Sequence, residues 1–211
     1  MNEHSRVADL HAERRAQILA AAQSCFVRSG FHRTTMQDVA REAGMSPGNL
    51  YRYFESKDAI VAGLARADQT RIAEDFAAAA SDPDFLPAFA ALGRKYLIDE
   101  PRETAVMALE IWAESTRNGV IAEVLHGIVE EVGKGMETVL EAARGRGSIP
   151  VEFDIDRAVR FLLAVSDGMM KRRALAPNFD GERELETMLA VIGALLKGGV
   201  PLTAARTEPK R

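Results

Sequence analysis

Apolar residues recur every three or four positions along almost the whole chain, and no stretch alternates apolar with polar residues in the manner of a strand. The pattern predicts an all-α protein. A first helix is expected from about Ala12 to Ser29, with Ile18, Leu19, Ala22 and Phe26 on one face and Gly30 placed to close it. Thr35, followed three places later by Asp38, matches a capping box and opens a short helix that Gly44 ends. Ser46 with Pro47 marks a second start, because serine caps free amides and proline suits the first helical turn. Ser56 opens a third helix, reaching to about Ala80. Further helices are expected over 85–98, 102–117, 120–144, 155–175 and 182–197. They are separated by breaks at Asp82 to Asp84, near Pro101, at Asn118 and Gly119, and across Gly145 to Glu152.

Composition narrows the function classes. A chain of 211 residues that is 47% hydrophobic and 27% charged is able to build a sizeable core. Its one cysteine, Cys25, excludes an internal disulfide and a multi-cysteine zinc site; beside the apolar stripe of the first helix it reads as a small core residue. His126 stands without partners at ligand spacing, so no metal site is expected. Charged residues interrupt every run that approaches 18 apolar positions, and the opening residues lack the apolar centre of a signal peptide. The expectation is a soluble, cytoplasmic protein with no membrane partner. Phosphate-binding glycine loops, zinc motifs and hydrolase elbows are absent from the sequence, so neither catalysis nor a cofactor is expected. The net charge of −4 is mildly uneven, since the first 60 residues carry eight basic and seven acidic side chains.

The chemistry concentrates between Thr34 and Leu64. Val39, Ala40 and Ala43 form the inward face of one short helix, Leu50 and Phe54 that of the next, and Met45 bridges them. Small alanines permit a close crossing and Gly44 supplies the left-handed backbone of a tight turn, which makes a helix-turn-helix. Ser46, Gly48, Asn49, Tyr51, Arg52 and Tyr53 are left for the outer side and leading end of the second helix. That set suits DNA: helix-start amides attract phosphate, Gly48 holds nothing away, and Tyr51 offers a ring and a hydroxyl. Thr35, Tyr53 and Lys57 suit phosphate, and Gln37 presents an amide to a base edge. The same residues also suit a packed helical domain whose surface is merely polar.

The first 65 residues closely resemble the DNA-binding domain of TetR-family transcriptional regulators. The resemblance rests on the entry Gly30, Phe31, Thr34, Thr35; on the core Ala40, Ala43, Gly44, Met45, Ser46, Gly48; and on Leu50, Tyr51, Tyr53, Phe54, Ser56, Lys57. It implies a homodimer on double-stranded operator DNA, with recognition helices in successive major grooves and a divergent helical ligand domain behind them. On this resemblance Gln37, Gly48, Asn49 and Tyr51 lie near bases, Ser46 and Pro47 lead the recognition helix, and Thr35, Tyr53 and Lys57 hold phosphates. Arg52 either reaches DNA or stays solvated. The domains expected are 1–65 for DNA, 66–198 for ligand and dimer, and 199–211 as a flexible tail.

Residues 66–211 carry no comparable motif. Phe89, Met107, Ile111, Trp112, Leu125, Phe161 and Met169 are candidates to line a cavity, with Glu110, Glu114 and Asp167 as polar hooks, although residues of these types at helical spacing usually fill a core. The segment Phe161 to Leu175 is apolar on more than one side. Leu162, Val165 and Met169, with Leu185, Leu189, Ile192 and Leu196 of the last helix, are assigned to a four-helix dimer interface on the pattern of the family; complete burial within one subunit is the alternative. The function expected is a homodimeric repressor released from its operator by an unknown small-molecule effector. The alternatives are an activator, a regulator under a protein partner, or a helical binding protein or enzyme that has borrowed the fold.

Overall fold

The computed structural model describes residues 3–196, with side chains from Leu10 on, and every regular element among them is helical. Helix α1 spans Glu3–Ser29. It begins nine residues before Ala12, because no glycine or proline intervenes to stop it. Two short helices follow, α2 at Met36–Glu42 and α3 at Pro47–Tyr51. The rest are α4 at Lys57–Ser81, α5 at Phe85–Arg94, α6 at Arg102–Ser115, α7 at Gly119–Gly145, α8 at Ile155–Leu175 and α9 at Gly181–Leu196. A π-helical turn, Lys95–Asp99, extends α5 where the sequence predicts plain α-helix. Its Leu97 and Ile98 carbonyls accept from the buried guanidinium of Arg173 on α8, at 2.9 and 2.8 Å. The expected tail, 199–211, lies outside the described residues.

The chain folds into two compact units. The first joins the residues up to Asp68 with Arg102–Ile128; the second joins Gln69–Pro101 with the described chain from Val129 on. In the first, Ile18, Ala22 and Phe26 of α1 meet Val39, Leu50, Ile60 and Ile121, and Met107, Ile111 and Val124 pack against this core. Fully burying one Leu50-sized side chain stabilises by about 1.5 to 3 kcal/mol, so the core holds the short α2 and α3 that could not persist alone. In the second, buried residues include Phe89, Leu140, Leu162, Met169, Leu185 and Ile192.

This packing bears on two sets of expected residues. Of the residues given to a dimer interface, Leu162, Met169, Leu185, Ile192 and Leu196 are buried inside the single chain, and only Val165 and Leu189 are half-exposed. The strongest apolar stripe of an amphipathic helix faces its own core, and these residues form that stripe. The exposed side of α8 instead carries Phe161 and Ala164, and that of α9 carries Ala190, Val191 and Ala194. The cavity residues also divide. Met107, Ile111, Trp112, Glu114 and Leu125 belong to the first unit, where Met107 and Ile111 pack on the helix-turn-helix core; Phe89 and Met169 are core of the second, and Phe161 is 42% exposed.

Candidate nucleic-acid interface

Local sequence dictates how α2 and α3 start. The Thr35 hydroxyl accepts from the Asp38 amide at 3.2 Å, and the Asp38 carboxylate accepts from the Thr35 amide at 3.0 Å and its hydroxyl at 2.6 Å. These donors hold the Asp38 carboxyl below the usual carboxylate range, the hydroxyl contributing most. The Thr35 hydroxyl proton is therefore engaged within the chain. Ser46 caps α3 by accepting from the Asn49 amide at 3.3 Å, and Pro47 occupies the first turn. Between the helices Gly44 sits at φ +64°, the left-handed conformation that its missing side chain permits.

Burial sorts the second helix into two sides. Leu50 and Phe54 are at 0% and 2% exposure, whereas Ser46, Pro47, Gly48, Tyr51 and Arg52 are exposed and Asn49 is half-buried. Nothing lies within 4 Å of where a Cβ on Gly48 would stand. The helix ends at Tyr51, so Arg52 and Tyr53 occupy the turn that follows rather than the helix itself. Thr35 and Gln37 are exposed at the start of α2. The exposed candidates thus sit at the start of α2, along α3 and in the turn that follows it, held on a buried base.

Helix α1 braces this arrangement. Gln17 donates to the Ala43 carbonyl at 3.0 Å, satisfying the end of α2, and Arg15 donates to the Tyr53 carbonyl at 2.9 Å. The His11 ring packs on the Tyr53 ring with centroids 4.8 Å apart. The sequence carries no mark of these three roles, because a polar residue on a helix face gives no signal of which carbonyl it will meet. Lys57 is half-buried and donates to the carbonyls of Phe31 at 2.7 Å and Thr34 at 3.2 Å, with its ammonium 4.2 Å from the Phe31 ring centre. Burial pushes its pKa down, against the opposing pull of Asp58, Glu114 and Glu110. Two of its three N–H donors serve the fold, and one remains for an external acceptor.

Other candidates take structural roles. Cys25 is 1% exposed and burial pushes its thiol pKa up, which suits a core residue rather than a reactive one. Glu114 pairs with Arg117 at 2.6 Å and lies 3.5 Å from His32, and the Glu110 carboxylate accepts from the Phe31 amide. Among the described residues no group of three or more His, Cys, Asp or Glu side chains is disposed to hold a metal ion, and no helix is long and apolar enough to cross a membrane.

Residues 18–64 match the family described as "Bacterial regulatory proteins, tetR family", and residues 89–197 match "BetI-type transcriptional repressor, C-terminal". The chain is similar to the HTH-type transcriptional regulator TtgR of Pseudomonas putida, 30% identical over 183 residues that cover 79% of this chain and 82% of that protein. Among solved structures it is similar to Salmonella enterica GusR, with TM-score 0.73 and 27% identity over 88% of this chain and 96% of that one. The SmeT–triclosan complex shares the fold at TM-score 0.71 and 21% identity, over 94% of this chain and 99% of that one.

Proposed function

The chain belongs to the tetR family of bacterial regulatory proteins and is a DNA-binding, ligand-responsive repressor, and from that premise we propose how its residues divide the work. Gln37, Gly48, Asn49 and Tyr51 approach base edges, Ser46 and Pro47 lead α3 into the major groove, and Tyr53 and Lys57 meet phosphate. Thr35 meets phosphate through competition with Asp38 for its hydroxyl, and Arg52, exposed in the turn after α3, reaches the backbone. DNA binding lies in residues 1–65, and effector binding and dimerisation lie in 66–198. The protein acts in the cytoplasm, beside the DNA it regulates, and no catalytic step is assigned to it. The observation that carries this reading is the contrast along α3, where Leu50 is fully buried and its neighbours Gly48 and Tyr51 are open.

The homodimer forms through the exposed faces of α8 and α9. Ala164, Ala190 and Ala194 are small enough for close helix approach, and Phe161 and Val191 supply apolar area that the single chain leaves in water. In a two-fold arrangement the two α3 helices meet grooves about 34 to 36 Å apart. A small-molecule effector releases the operator by binding the DNA-incompetent shape more tightly, since equal affinity for both shapes shifts no population.

The test starts from a duplex that the wild-type chain selects out of a random-sequence library. Tyr51→Ala is expected to lose about 1 to 3 kcal/mol of affinity for it while the helical circular dichroism is retained. Unchanged affinity removes α3 from the interface. Light scattering is expected to give twice the chain mass, and Val191→Glu to give the single mass.

A further inference from the structure

Gly30 ends α1 at φ +82°, and the chain then turns through Phe31 to Thr34 before α2 begins. This knuckle is closed from within, because the Thr34 hydroxyl shares its one proton between the carbonyls of Gly30 at 2.8 Å and Cys25 at 3.1 Å. Its Phe31 residue is gripped from two other helices. The Phe31 amide donates to Glu110 of α6, and the Phe31 carbonyl accepts from Lys57 of α4. The fit is close on the Glu110 side: a Cβ added to Gly30 would stand 2.7 Å from Glu110 Oε1 and 2.9 Å from Oε2. Glu110 lies outside the helix-turn-helix sequence, yet α6 belongs to the same compact unit.

On electrostatics alone Glu110 is the wrong group for this place. A carboxylate near a DNA-binding lysine repels phosphate, and Asp58 and Glu114 already add negative charge beside Lys57. Its hydrogen bond gives it a different role. We propose that Glu110 is a positioning residue for DNA binding: it fixes the Phe31 residue, and the Phe31 carbonyl in turn holds the Lys57 ammonium where its remaining donor meets phosphate. This rests on the reading of Lys57 as a phosphate contact.

The sign of the effect separates this role from simple charge. Deleting Glu110 removes a negative charge and by long-range electrostatics raises DNA affinity; loss of positioning lowers it. Against the duplex selected by the wild-type chain, Glu110→Ala is expected to lose about tenfold in affinity, the scale of one charge-assisted contact. Glu110→Gln, whose amide oxygen still accepts from the Phe31 N–H, is expected to stay within about threefold of wild type. The slope of log affinity against log salt is expected to fall by about 0.9 in Glu110→Ala, the same change as in Lys57→Met, because each loses one phosphate contact. In a Lys57→Met background Glu110→Ala is expected to cost nothing further, while in a Tyr51→Ala background it keeps its full cost.

Circular dichroism at the binding temperature establishes that each variant is folded, and Glu110→Gln carries the test if Glu110→Ala is not: a gain in its affinity beyond about threefold overturns the proposal in favour of charge. A gain in affinity in Glu110→Ala overturns it likewise. A full Glu110→Ala loss in the Lys57→Met background overturns the route through Lys57 and leaves the DNA-binding surface standing. If Lys57→Met itself binds like wild type, the phosphate reading of Lys57 falls and the proposal falls with it.

Discussion

The Arg15 guanidinium donates to the Tyr53 carbonyl across 2.9 Å and lies 4.2 Å from the centre of the Phe54 ring, so α1 grips the chain just where α3 has ended. Phe54 is buried beneath it. Removing the guanidinium leaves a part-buried carbonyl short of a donor and uncovers the ring face. Arg15→Ala is therefore expected to destabilise the first unit by about 1 to 3 kcal/mol. Arg15→Lys recovers only part of this, because an ammonium lacks the planar fork that bonds and stacks together. Urea denaturation followed by helical circular dichroism reads both.

Two glycines separate folding from binding. Gly30 has a left-handed φ and the Glu110 carboxylate beside it, so Gly30→Ala is expected to cost at least about 1 to 2 kcal/mol of stability from backbone strain alone. Gly48 has ordinary φ and open space around it, so Gly48→Ala is expected to change stability by no more than about 0.5 kcal/mol. Its added methyl stands on the surface assigned to DNA, and affinity for the selected duplex is expected to fall. Thermal melts and a binding titration on the two variants give opposite patterns.

Two carboxylates make the protein sensitive to acid. The Asp38 carboxyl is held below its ordinary range by the Thr35 hydroxyl and amide. For Asp75, burial pushes the pKa up, but hydrogen bonds from Lys95 and Tyr96 outweigh it and the net direction is down. A folded-state pKa below the unfolded value means that the stabilisation is full above the unfolded value, about 3.9, and is lost as pH falls through the folded one. Melting temperature is expected to drop below about pH 4 in the wild type, and to drop less steeply in Asp38→Asn and Asp75→Asn, which begin lower. Melts at stepped pH check this.

Much of this architecture is legible in the sequence because its signals are local. Thr35 with Asp38, Ser46 with Pro47, and Gly44 each fix a boundary within a few residues, and the helix predicted over 155–175 is α8, Ile155–Leu175. Signals that depend on distant partners are lost. Leu162 and Leu185 read correctly as apolar stripes, but a stripe does not say whether its partner is the chain's own core or a second subunit. Glu110 reads as a polar hook for a ligand, whereas its partner is a backbone amide 79 positions away in sequence. Lys57 reads as a phosphate anchor at a helix start, and only the fold reveals the two carbonyls it also serves. The helix-turn-helix is legible because its geometry is built from short-range turns and caps.

The most direct test of the central claim is amide hydrogen exchange across the whole chain, with and without the duplex selected by the wild-type protein. Protection concentrated from Ser46 to Tyr53, with a second patch at Thr34 to Gln37, is the result expected of an α3 seated in a groove. Unchanged exchange from Ser46 to Tyr53, with protection gained on another surface, would contradict it.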